Sequence, residues 1–410
     1  MLLPYIFFRL LWRARKQPEY LHHVAERFGF YVSRCDKPII WLHTVSVGET
    51  RASQTLIAKL HIAYPQHQIL LTHTTPTGRA TSELLYGDSV VRAYLPYDYP
   101  FAVNRFLRHF HPQIGVLMET EIWFNLIHAC HQFDIPLLLL NARMSEKSAK
   151  GYARFSQLTS DALTNLSSIA AQTTDDAFRL TQLGAKDVFV MGNLKFDIDP
   201  PITMLNKGKE LRKQFGSTRK IFLAASTREG EELLILEALQ PLDFLNALLV
   251  IVPRHPQRFS EVASLLEQRK IIYQRRSSGQ PVSNTVQVVL GDSMGEMFAY
   301  YACADVVFIG GSLLPYGGQN LIEACAVGVP VLIGIHTYNF AEATRLAIKT
   351  GAVIQVNNAD ALAKKLQALL EDTNAVSAMR LACTEFVGAN RGATNNALRI
   401  IASKIPTSRE

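Results

Sequence analysis

An acidic side chain stands where one apolar run of this chain opens into a polar bend. In the stretch WLHTVSVGET (residues 41–50), the run ends in a bend and Glu49 follows Gly48. A carboxylate in the first turn of a helix interacts favourably with the helix dipole, and a carboxylate in a cleft can act as a general base. Both roles fit Glu49. In either role, the positive end of the helix is expected to lower its pKa.

A pair of acids, Glu119 and Glu121, follows another apolar run in the stretch LMETEIWFN. If the backbone is extended there, both carboxylates point to one side. Two like charges so close raise the pKa of one of them unless a cation intervenes. Lys195, in the stretch GNLKFD, is a cation at the end of the last strand of this half, near the expected cleft.

A basic segment, NARMSEKSAKGYARF, lies between the acids and Lys195 in the sequence. It forms a loop and a helix start, and it fits either an anionic acceptor or a solvated charged surface. Its basic residues are Arg143, Lys147, Lys150 and Arg154.

The second half of the chain carries a glycine-rich loop, GGSLLPYGGQNLIEA (310–324). Glycines let the backbone approach a ligand closely, and the free N–H groups of the helix that begins near Asn320 suit a phosphate. Glu323, in the first turn, could accept hydrogen bonds from two ribose hydroxyls or could take a capping-box role.

Three further strand ends offer ligand-binding residues, each with a structural alternative. GDSMGE (291–296) could cap a nucleotide, or Asp292 or Ser293 could cap a helix. Arg254 could bind a carboxylate or phosphate with two hydrogen bonds, or could lie in a surface turn. Ser226 and Thr227 could hold an oxyanion or act as N-caps.

Composition limits the class of protein. The chain has 410 residues, 48% hydrophobic and 19% charged, which predicts a globular protein of two domains. Five scattered cysteines, with no C-x-x-C pair, predict neither a disulfide framework nor structural zinc. The net charge of +7 favours an anionic partner, but no nucleic-acid motif is present. No D-x-D stands at a strand end, so no metal site is predicted.

Apolar runs alternate with helical stretches throughout, which predicts an α/β fold with two parallel sheets, each covered by helices on both faces. The stretch FDIDPPIT interrupts the pattern as an extended connection. The predicted segments are a helix in 1–30, a Rossmann-like domain in 31–197, a linker in 198–202, a second Rossmann-like domain in 203–385, and a C-terminal helix in 386–410 that returns towards the first domain. Ligands are expected past the carboxyl ends of the strands, in a cleft between the domains.

The N-terminal stretch MLLPYIFFRLLWRARK combines aromatic and basic residues. Its apolar run is shorter than the roughly 20 residues that span a bilayer, and no signal-peptide cleavage site follows. It fits a helix lying in a membrane interface, with an amphipathic helix docked on its own domain as the alternative. The residues predicted to contact lipid and headgroups are Phe7, Phe8, Trp12, Arg13, Arg15 and Lys16.

Eight segments, in order, cover nearly the whole chain: VSVGE, METEIW, NARMSEKSAKGY, GNLKFD, ASTREGEE, VPRHPQRF, GDSMGE and GGSLLPYGGQNLIEA. Together they resemble the 3-deoxy-D-manno-octulosonic acid (Kdo) transferases of lipopolysaccharide biosynthesis. The resemblance implies a GT-B fold and a metal-independent inverting transfer of Kdo from CMP-Kdo to the phosphorylated lipid A precursor, lipid IVA. It implies an N-terminal acceptor domain, a C-terminal donor domain, and no cofactor, since CMP-Kdo is a substrate. It also implies an anionic membrane surface as partner, at the cytoplasmic face of the inner membrane of a Gram-negative bacterium.

The resemblance assigns roles residue by residue. Glu49 corresponds to the general base, and Glu119 and Lys195 to groups that stabilise the transition state. The residues assigned to donor binding are Ser226, Thr227, Pro253, Arg254, Met294, Gly295, Glu296, Asn320, Leu321, Ile322 and Glu323.

The chain departs from the family pattern at three places. Phe124 stands where the family usually has Pro, Gln319 where it has His, and Arg228 ends a run that usually reads Gly-Ser-Thr-His. Gln319 and Arg228 lie beside the expected donor site. The alternative functions are another GT-B sugar-nucleotide transferase or epimerase, and a non-catalytic membrane-associated homologue.

Overall fold

The computed structural model describes residues 3–15, 17–33, 35–240 and 247–405, with side chains from residue 8 onward. The chain divides into two compact units. Unit 1 comprises Met1–Asp197 and Arg391–Glu410, and unit 2 comprises Ile198–Asn390.

Unit 1 is built on a seven-stranded parallel sheet with the order β3-β2-β1-β4-β5-β6-β7. Most of its strands are continuous apolar runs buried on both faces, as expected for a parallel sheet covered by helices. The strands are β1 (Ile39–His43), β2 (Gln68–His73), β3 (Val91–Tyr94), β4 (Ile114–Met118), β5 (Leu137–Ala142), β6 (Ser168–Ala171) and β7 (Val188–Val190).

Helices cover both faces of this sheet. Trp41 and Leu42 show the division, since successive strand residues point to opposite faces and these two belong to different apolar clusters. The helices before residue 198 are α1 (Leu3–Ala14), α2 (Val47–Ala52), α3 (Gln54–Ala63), α4 (Pro76–Tyr86), α5 (Pro100–Phe110), α6 (Phe124–Gln132), α7 (Glu146–Tyr152), α8 (Ser156–Thr164) and α9 (Thr174–Gln182).

Unit 2 repeats the plan with a second seven-stranded parallel sheet of order β10-β11-β9-β8-β12-β13-β14. Its strands are β8 (Lys220–Thr227), β9 (Ala247–Pro253), β10 (Tyr273–Arg275), β11 (Val288–Leu290), β12 (Val306–Ile309), β13 (Val331–Ile333) and β14 (Val353–Gln355). Its helices are α10 (Ile202–Phe215), α11 (Glu231–Leu239), α12 (Phe259–Gln268), α13 (Met297–Cys303), α14 (Leu321–Val327), α15 (Ala341–Lys349), α16 (Ala359–Glu371) and α17 (Thr373–Ala389).

The last described helix, α18 (Ala393–Lys404), belongs to unit 1. Ile401 is fully buried in the same apolar cluster as Leu42. The carboxylate of Asp197 accepts hydrogen bonds from Gly392 N–H (2.6 Å) and from Thr394 N–H. Asp197 therefore supplies acceptors for the start of α18, a role that its place in the DID stretch did not suggest.

The predicted α/β class with two parallel sheets is confirmed, while several local expectations were wrong. Strand β3 was missed because its first two residues are only half buried and its apolar signal is weak. The segment 1–30 is not one helix, since α1 ends at Ala14 and residues 18–28 form two short 3-10 turns. The helix after the GDSMGE loop begins at Met297 with Glu296 as its N-cap, so the capping alternative for Asp292 or Ser293 was wrong.

Candidate active site

The sheet order of unit 1 places the loops after β1 and β4 side by side. The chain runs from β1 outwards through β2 and β3, and then crosses to β4 on the other side of β1. Ligands of open parallel sheets bind at such a reversal, beyond the carboxyl ends of the two central strands. Glu49 follows β1, and Glu119 and Glu121 follow β4, so the fold brings the three acids to one place.

The carboxylate of Glu49 is held in the turn that starts α2. Ser46 is the N-cap, its hydroxyl donates to Glu49 Oε1 at 2.7 Å, and Val45 N–H donates to Oε2 at 2.7 Å. This resembles a capping box, but the acid reaches the residue before the N-cap instead of the N-cap itself. Only 8% of Glu49 is exposed, so both oxygens are fixed in a nearly closed environment.

The pKa of Glu49 is raised to about 7, and the expectation that the helix start would lower it was wrong. Burial is the main cause, and the neighbouring Glu119 raises the pKa further. The hydrogen bonds from Val45 N–H and the Ser46 hydroxyl act in the opposite direction, as does the charge of Lys195. Loss of hydration outweighs these effects because a buried carboxylate is stabilised in its neutral form.

Buried polar groups beneath this turn fix the backbone that carries Glu49. The hydroxyl of Thr50 donates to Ser46 O (2.9 Å) and lies 3.1 Å from the hydroxyl of Thr44. The hydroxyl of Thr75 donates to Val45 O at 2.8 Å. Isolated threonines carry no sequence signal, which is why this support was missed.

Glu119 does not continue the strand as expected. Its φ of 60° places it in the left-handed region, which is uncommon for a residue with a side chain. The assumption of an extended backbone from 119 to 121 was therefore wrong. Glu119 Oε1 accepts a hydrogen bond from Lys195 Nζ at 3.0 Å. The cation that the sequence required near the acid pair is thus present, and it binds Glu119.

Two asparagines hold the segment that carries Lys195. Asn193 Oδ1 accepts from Lys195 N–H at 3.0 Å, and Asn141 Oδ1 accepts from Leu194 N–H at 3.1 Å. Asn141 is the penultimate residue of β5 and lies next to the Glu119 loop, since Glu119 N–H donates to Leu140 O. We assign Asn141 as a positioning residue that the sequence did not reveal.

Glu121 is the third acid of the group. Its Oε2 accepts from the indole N–H of Trp123 at 2.7 Å. Burial raises its pKa to about 7, and the charges of Glu49 and Glu119 add to the effect. The three acids therefore form an electrostatically coupled group in which Glu119 is bound to the cation and the other two have raised pKa values.

Unit 2 has its own reversal of strand order, between β8 and β12. Ser226 lies there in an irregularity of β8 with a φ of 55°. Gly310, at the end of β12, packs directly on it: a Cβ at position 310 would lie 2.5 Å from Ser226 O. The glycine is needed for this close approach, which brings the two loops together where a ligand is expected.

A buried carboxylate, Glu231, sets the shape of the glycine-rich loop. It accepts hydrogen bonds from the N–H groups of Gly311 (2.6 Å), Ser312 (2.9 Å), Leu313 (3.0 Å) and Arg228 (2.9 Å). Its neighbour Glu232 binds Arg258 through both oxygens. The first turn of α11 therefore supports the glycine-rich loop through Glu231 and the segment that carries Arg258 through Glu232. The sequence interpretation of ASTREGEE missed this role.

The hydroxyl of Thr227 is already used, since it donates to Glu232 Oε1 at 2.6 Å in a fully buried position. Arg254, just after β9 and Pro253, donates from Nε to Gln319 Oε1 at 3.1 Å. Two of the loops assigned to donor binding are joined by this bond, and Gln319 is one of the positions that departs from the family pattern.

The other departure, Arg228, faces the same loop. Its guanidinium lies 4.8 Å from the ring centroid of Tyr316 and donates to His255 Nε2 at 3.2 Å. Burial and the charges of Arg228, Arg254 and Arg258 lower the pKa of His255. The three arginines make the surroundings of His255 positively charged, which suits an anionic ligand.

The segment from Asn320 to Glu323 begins α14. Asn320 is the N-cap, and its side-chain amide donates to Glu323 Oε1 at 3.0 Å. Leu321 and Ile322 are fully buried, and the Ile322 N–H donates to Asn320 Oδ1 at 3.1 Å. The Asn320–Glu323 bond joins Glu323 to the side chain of the N-cap, whereas a capping box is defined by a bond to the N-cap backbone N–H.

The GDSMGE loop is held by its acid. Glu296 accepts from the Ser293 hydroxyl at 2.6 Å and pairs with Lys207 and Arg276. Gly295 has a φ of 79°, and Met294 is exposed. Glu296 is therefore bound within unit 2, while Met294 is open to a ligand.

Helix α1 presents large apolar side chains to solvent. Leu10 and Ala14 are buried, whereas Phe8 is 69% and Trp12 60% exposed. Arg13 and Arg15 are also exposed, and the Arg13 guanidinium lies 5.5 Å from the ring centroid of Tyr20. The side chain of Phe7, and Lys16 as a whole, lie outside the described residues. Within the described part of the chain, every helix is too short or too polar to cross a bilayer.

Comparison with protein families matches both halves of the chain. Residues 22–198 match the family model described as 3-deoxy-D-manno-octulosonic-acid transferase (kdotransferase), and residues 234–385 match glycosyl transferases group 1. The 3-deoxy-D-manno-octulosonic acid transferase of Bordetella pertussis is 43% identical over 389 residues, covering 91% of this chain and 89% of that protein. The protein of the same name from Haemophilus influenzae (strain Rd) is 38% identical, covering 94% and 92%.

Solved structures share the architecture at low sequence identity. A glycosyltransferase from Rickettsia africae is 16% identical with a TM-score of 0.61, covering 91% of this chain and 100% of that chain. The UDP-GlcNAc 2-epimerase from Neisseria meningitidis is 16% identical with a TM-score of 0.58, covering 89% and 99%. These similarities concern the fold alone, and with the family matches they confirm the predicted GT-B class.

Glu121→Gln is expected to stabilise the protein at pH 8 by about 2 kcal/mol, with little effect at pH 4.5. The folded-state pKa of Glu121 is raised to about 7, so its contribution to stability is present below its ordinary pKa of 4.5 and is lost as the pH rises through 7. Glutamine keeps an oxygen for the Trp123 N–H. Urea unfolding at both pH values measures the difference. Glu83→Gln, at an exposed position, is the control, and an equal gain at both pH values would contradict the assignment.

Glu231→Ala is expected to lower the free energy of unfolding by more than about 3 kcal/mol, because four backbone N–H groups lose their acceptor. Urea unfolding measures this, and Glu229→Ala is the matched control because Glu229 is exposed two residues earlier. Similar stabilities of the two variants would show that Glu231 does not hold the loop.

Proposed function

The chain belongs to the 3-deoxy-D-manno-octulosonic-acid (Kdo) transferase family, and we propose that it transfers Kdo from CMP-Kdo to the phosphorylated lipid A precursor, lipid IVA, in lipopolysaccharide core biosynthesis. The observation that carries the proposal is the position of Glu49. Its carboxylate is fixed at the strand reversal of unit 1, with a pKa of about 7, beside the Glu119–Lys195 pair.

Glu49 acts as the general base of an inverting transfer. Its carboxylate takes the proton of an acceptor hydroxyl as the hydroxyl oxygen bonds to the anomeric carbon of Kdo. The bond from that carbon to the phosphate oxygen of CMP breaks, and CMP leaves with the electron pair. A base with a pKa of about 7 is largely deprotonated slightly above neutral pH and still has a strong affinity for the proton.

Lys195 and Glu119 stabilise the transition state in this proposal. The anomeric carbon becomes positively charged as CMP leaves, and a carboxylate can stabilise that charge. Kdo carries its own carboxylate, for which the Lys195 ammonium is a suitable partner. The 3.0 Å bond between the two side chains holds both in place before the substrates bind.

Unit 2 binds CMP-Kdo in this proposal. The guanidinium groups of Arg228 and Arg254 suit the phosphate of CMP without requiring a metal ion. The first turn of α14 adds the positive end of a helix dipole, and its Ile322 N–H donates to Asn320 Oδ1. Asn320 and Glu323 place polar atoms where a ribose could be bound. CMP-Kdo is a substrate in this proposal, and the proposed reaction uses no cofactor.

Two alternatives use the same fold. The UDP-GlcNAc 2-epimerase from Neisseria meningitidis shares the architecture, but its 16% identity to this chain supports a common fold alone. The relatives that match across about nine-tenths of the chain at 38–43% identity are both transferases. A non-catalytic homologue gains no stability at neutral pH from Glu49, because burial and Glu119 raise its pKa to about 7.

Helix α1 supports a position at the cytoplasmic face of the inner membrane. A helix with exposed Phe8 and Trp12 beside exposed basic residues fits the interface of an anionic membrane, where the lipid acceptor resides. The buried Leu10 and Ala14 attach the opposite face of the helix to unit 1.

Glu49→Gln is expected to reduce kcat by a factor of about 10² to 10⁴ while CMP binding is retained. In the wild type, kcat/KM for Kdo transfer should fall tenfold per pH unit below about 7, and the variant should lack this limb. Product mass with CMP-Kdo and lipid IVA gives the rates, and calorimetry gives the CMP affinity, with Glu83→Gln as control. Unchanged turnover would remove Glu49 from the role of base.

Replacing Phe8 and Trp12 with Ser is expected to weaken binding to phosphatidylglycerol vesicles at least about tenfold, because each buried aromatic side chain contributes roughly 1.5–3 kcal/mol. Vesicle cosedimentation measures the affinity. Phe178→Ser, which changes an equally exposed aromatic on α9, should bind as the wild type does. Unaltered binding by the double variant would contradict an interfacial α1.

A further inference from the structure

A polar cavity opens beside Glu119 in unit 1. Its volume is about 240 Å³, and it is lined by Glu119, Thr120, Arg143, Ser145 and Ser148. Three of these residues come from the basic segment that the sequence related either to an anionic acceptor or to a solvated surface. The cavity makes this segment a wall of the site that holds Glu119 and Lys195.

Hydrogen bonds fix the walls of this cavity. The Thr120 hydroxyl donates to Arg143 O at 2.6 Å, which ties the backbone of the arginine to the loop after β4. The Ser145 hydroxyl donates to the Ser148 hydroxyl at 2.9 Å and accepts from Ser148 N–H at 3.1 Å. One of the two hydroxyl hydrogens is used between the serines, so the hydrogen of Ser148 can donate to a ligand.

The charges around the cavity favour an anion. Arg143 contributes a guanidinium, and the one carboxylate of the lining, Glu119, is paired with Lys195 at 3.0 Å. The acid of helix α7, Glu146, is not part of the lining and lies 3.8 Å from Arg179. Lys147 and Lys150 are exposed on α7 and add to the positive potential.

The size of the cavity limits what can enter it. Pockets that bury a drug-sized ligand have volumes of roughly 300–1,000 Å³, so this one holds a single polar group and not a sugar with its acyl chains. An arginine with a hydroxyl donor beside it matches a phosphate, whose oxygens accept several hydrogen bonds in a fixed geometry.

We propose that this cavity binds a phosphate group of the lipid acceptor through Arg143 and Ser148, and so brings an acceptor hydroxyl to Glu49. The inference rests on the proposed function and names the part of the acceptor that unit 1 recognises. It assigns Arg143 and Ser148 to substrate binding and leaves the chemistry with Glu49, Glu119 and Lys195. Loss of the contact should therefore affect the KM of the acceptor and not that of CMP-Kdo.

The test compares full-length wild type with Arg143→Gln on two acceptors, lipid IVA and the same lipid after phosphatase treatment. Arg143→Gln is expected to raise the KM for lipid IVA at least about tenfold, with the KM for CMP-Kdo changed less than about twofold. On the dephosphorylated lipid, the wild type should already show the raised KM, and the substitution should add nothing to it. Arg399→Gln, which changes an exposed arginine on α18 outside the cavity and outside the basic segment, should behave as the wild type does.

Ser148→Ala gives a second measurement if Arg143→Gln does not fold, as judged by its thermal unfolding. It removes a hydroxyl donor without changing charge, and it should raise the KM for lipid IVA about threefold to tenfold. An equal rise for both acceptors, or a rise for CMP-Kdo instead, would overturn the inference while transfer itself persists. A wild-type protein that transfers no Kdo to lipid IVA would overturn the proposed function, and the inference with it.

Discussion

The structure of unit 1 around its site depends on burying the carboxylate of Glu49 at the bend after β1. Strand β1 is fully buried and only 8% of Glu49 is exposed, so the acid has little hydration. Val45 N–H and the Ser46 hydroxyl replace part of the missing hydration, and Thr44, Thr50 and Thr75 hold the bend. Burial outweighs these bonds, which is why the pKa rises to about 7, a value that suits the proposed role of Glu49 as a base near neutral pH.

Unit 2 also buries an acid at its strand reversal, but that acid accepts different hydrogen bonds. Glu231 accepts four backbone N–H groups and shapes the loop that is proposed to hold the donor, whereas Glu49 accepts one backbone N–H and one hydroxyl. Burial raises the pKa of both, and the N–H bonds of Glu231 oppose that rise. One acid thus determines backbone shape, while the other, beside Glu119 and Lys195, keeps its affinity for a proton.

The sequence predicted the two parallel sheets and most strands correctly because continuous apolar runs are typical of buried parallel strands. It also identified the three acids and Lys195, since charged residues that follow apolar runs can be recognised from the sequence alone. It could not show the positive φ of Glu119, the hydrogen bonds that Glu231 accepts, or the support from Asn141, because these depend on which loops meet in space. The direction of the Glu49 pKa was wrong for the same reason: the helix start is a local feature, whereas burial and Glu119 are tertiary.

The proposed role of Glu49 as a base depends on a carboxyl group that titrates near neutral pH. Carbon-13 NMR of protein labelled at the side-chain carboxyl of glutamate measures this directly, with the Glu49 signal assigned as the one lost in Glu49→Gln. We expect a midpoint of about 7. A midpoint at or below the ordinary value of 4.5 would contradict this expectation, because the hydrogen bonds at the helix start would then outweigh burial.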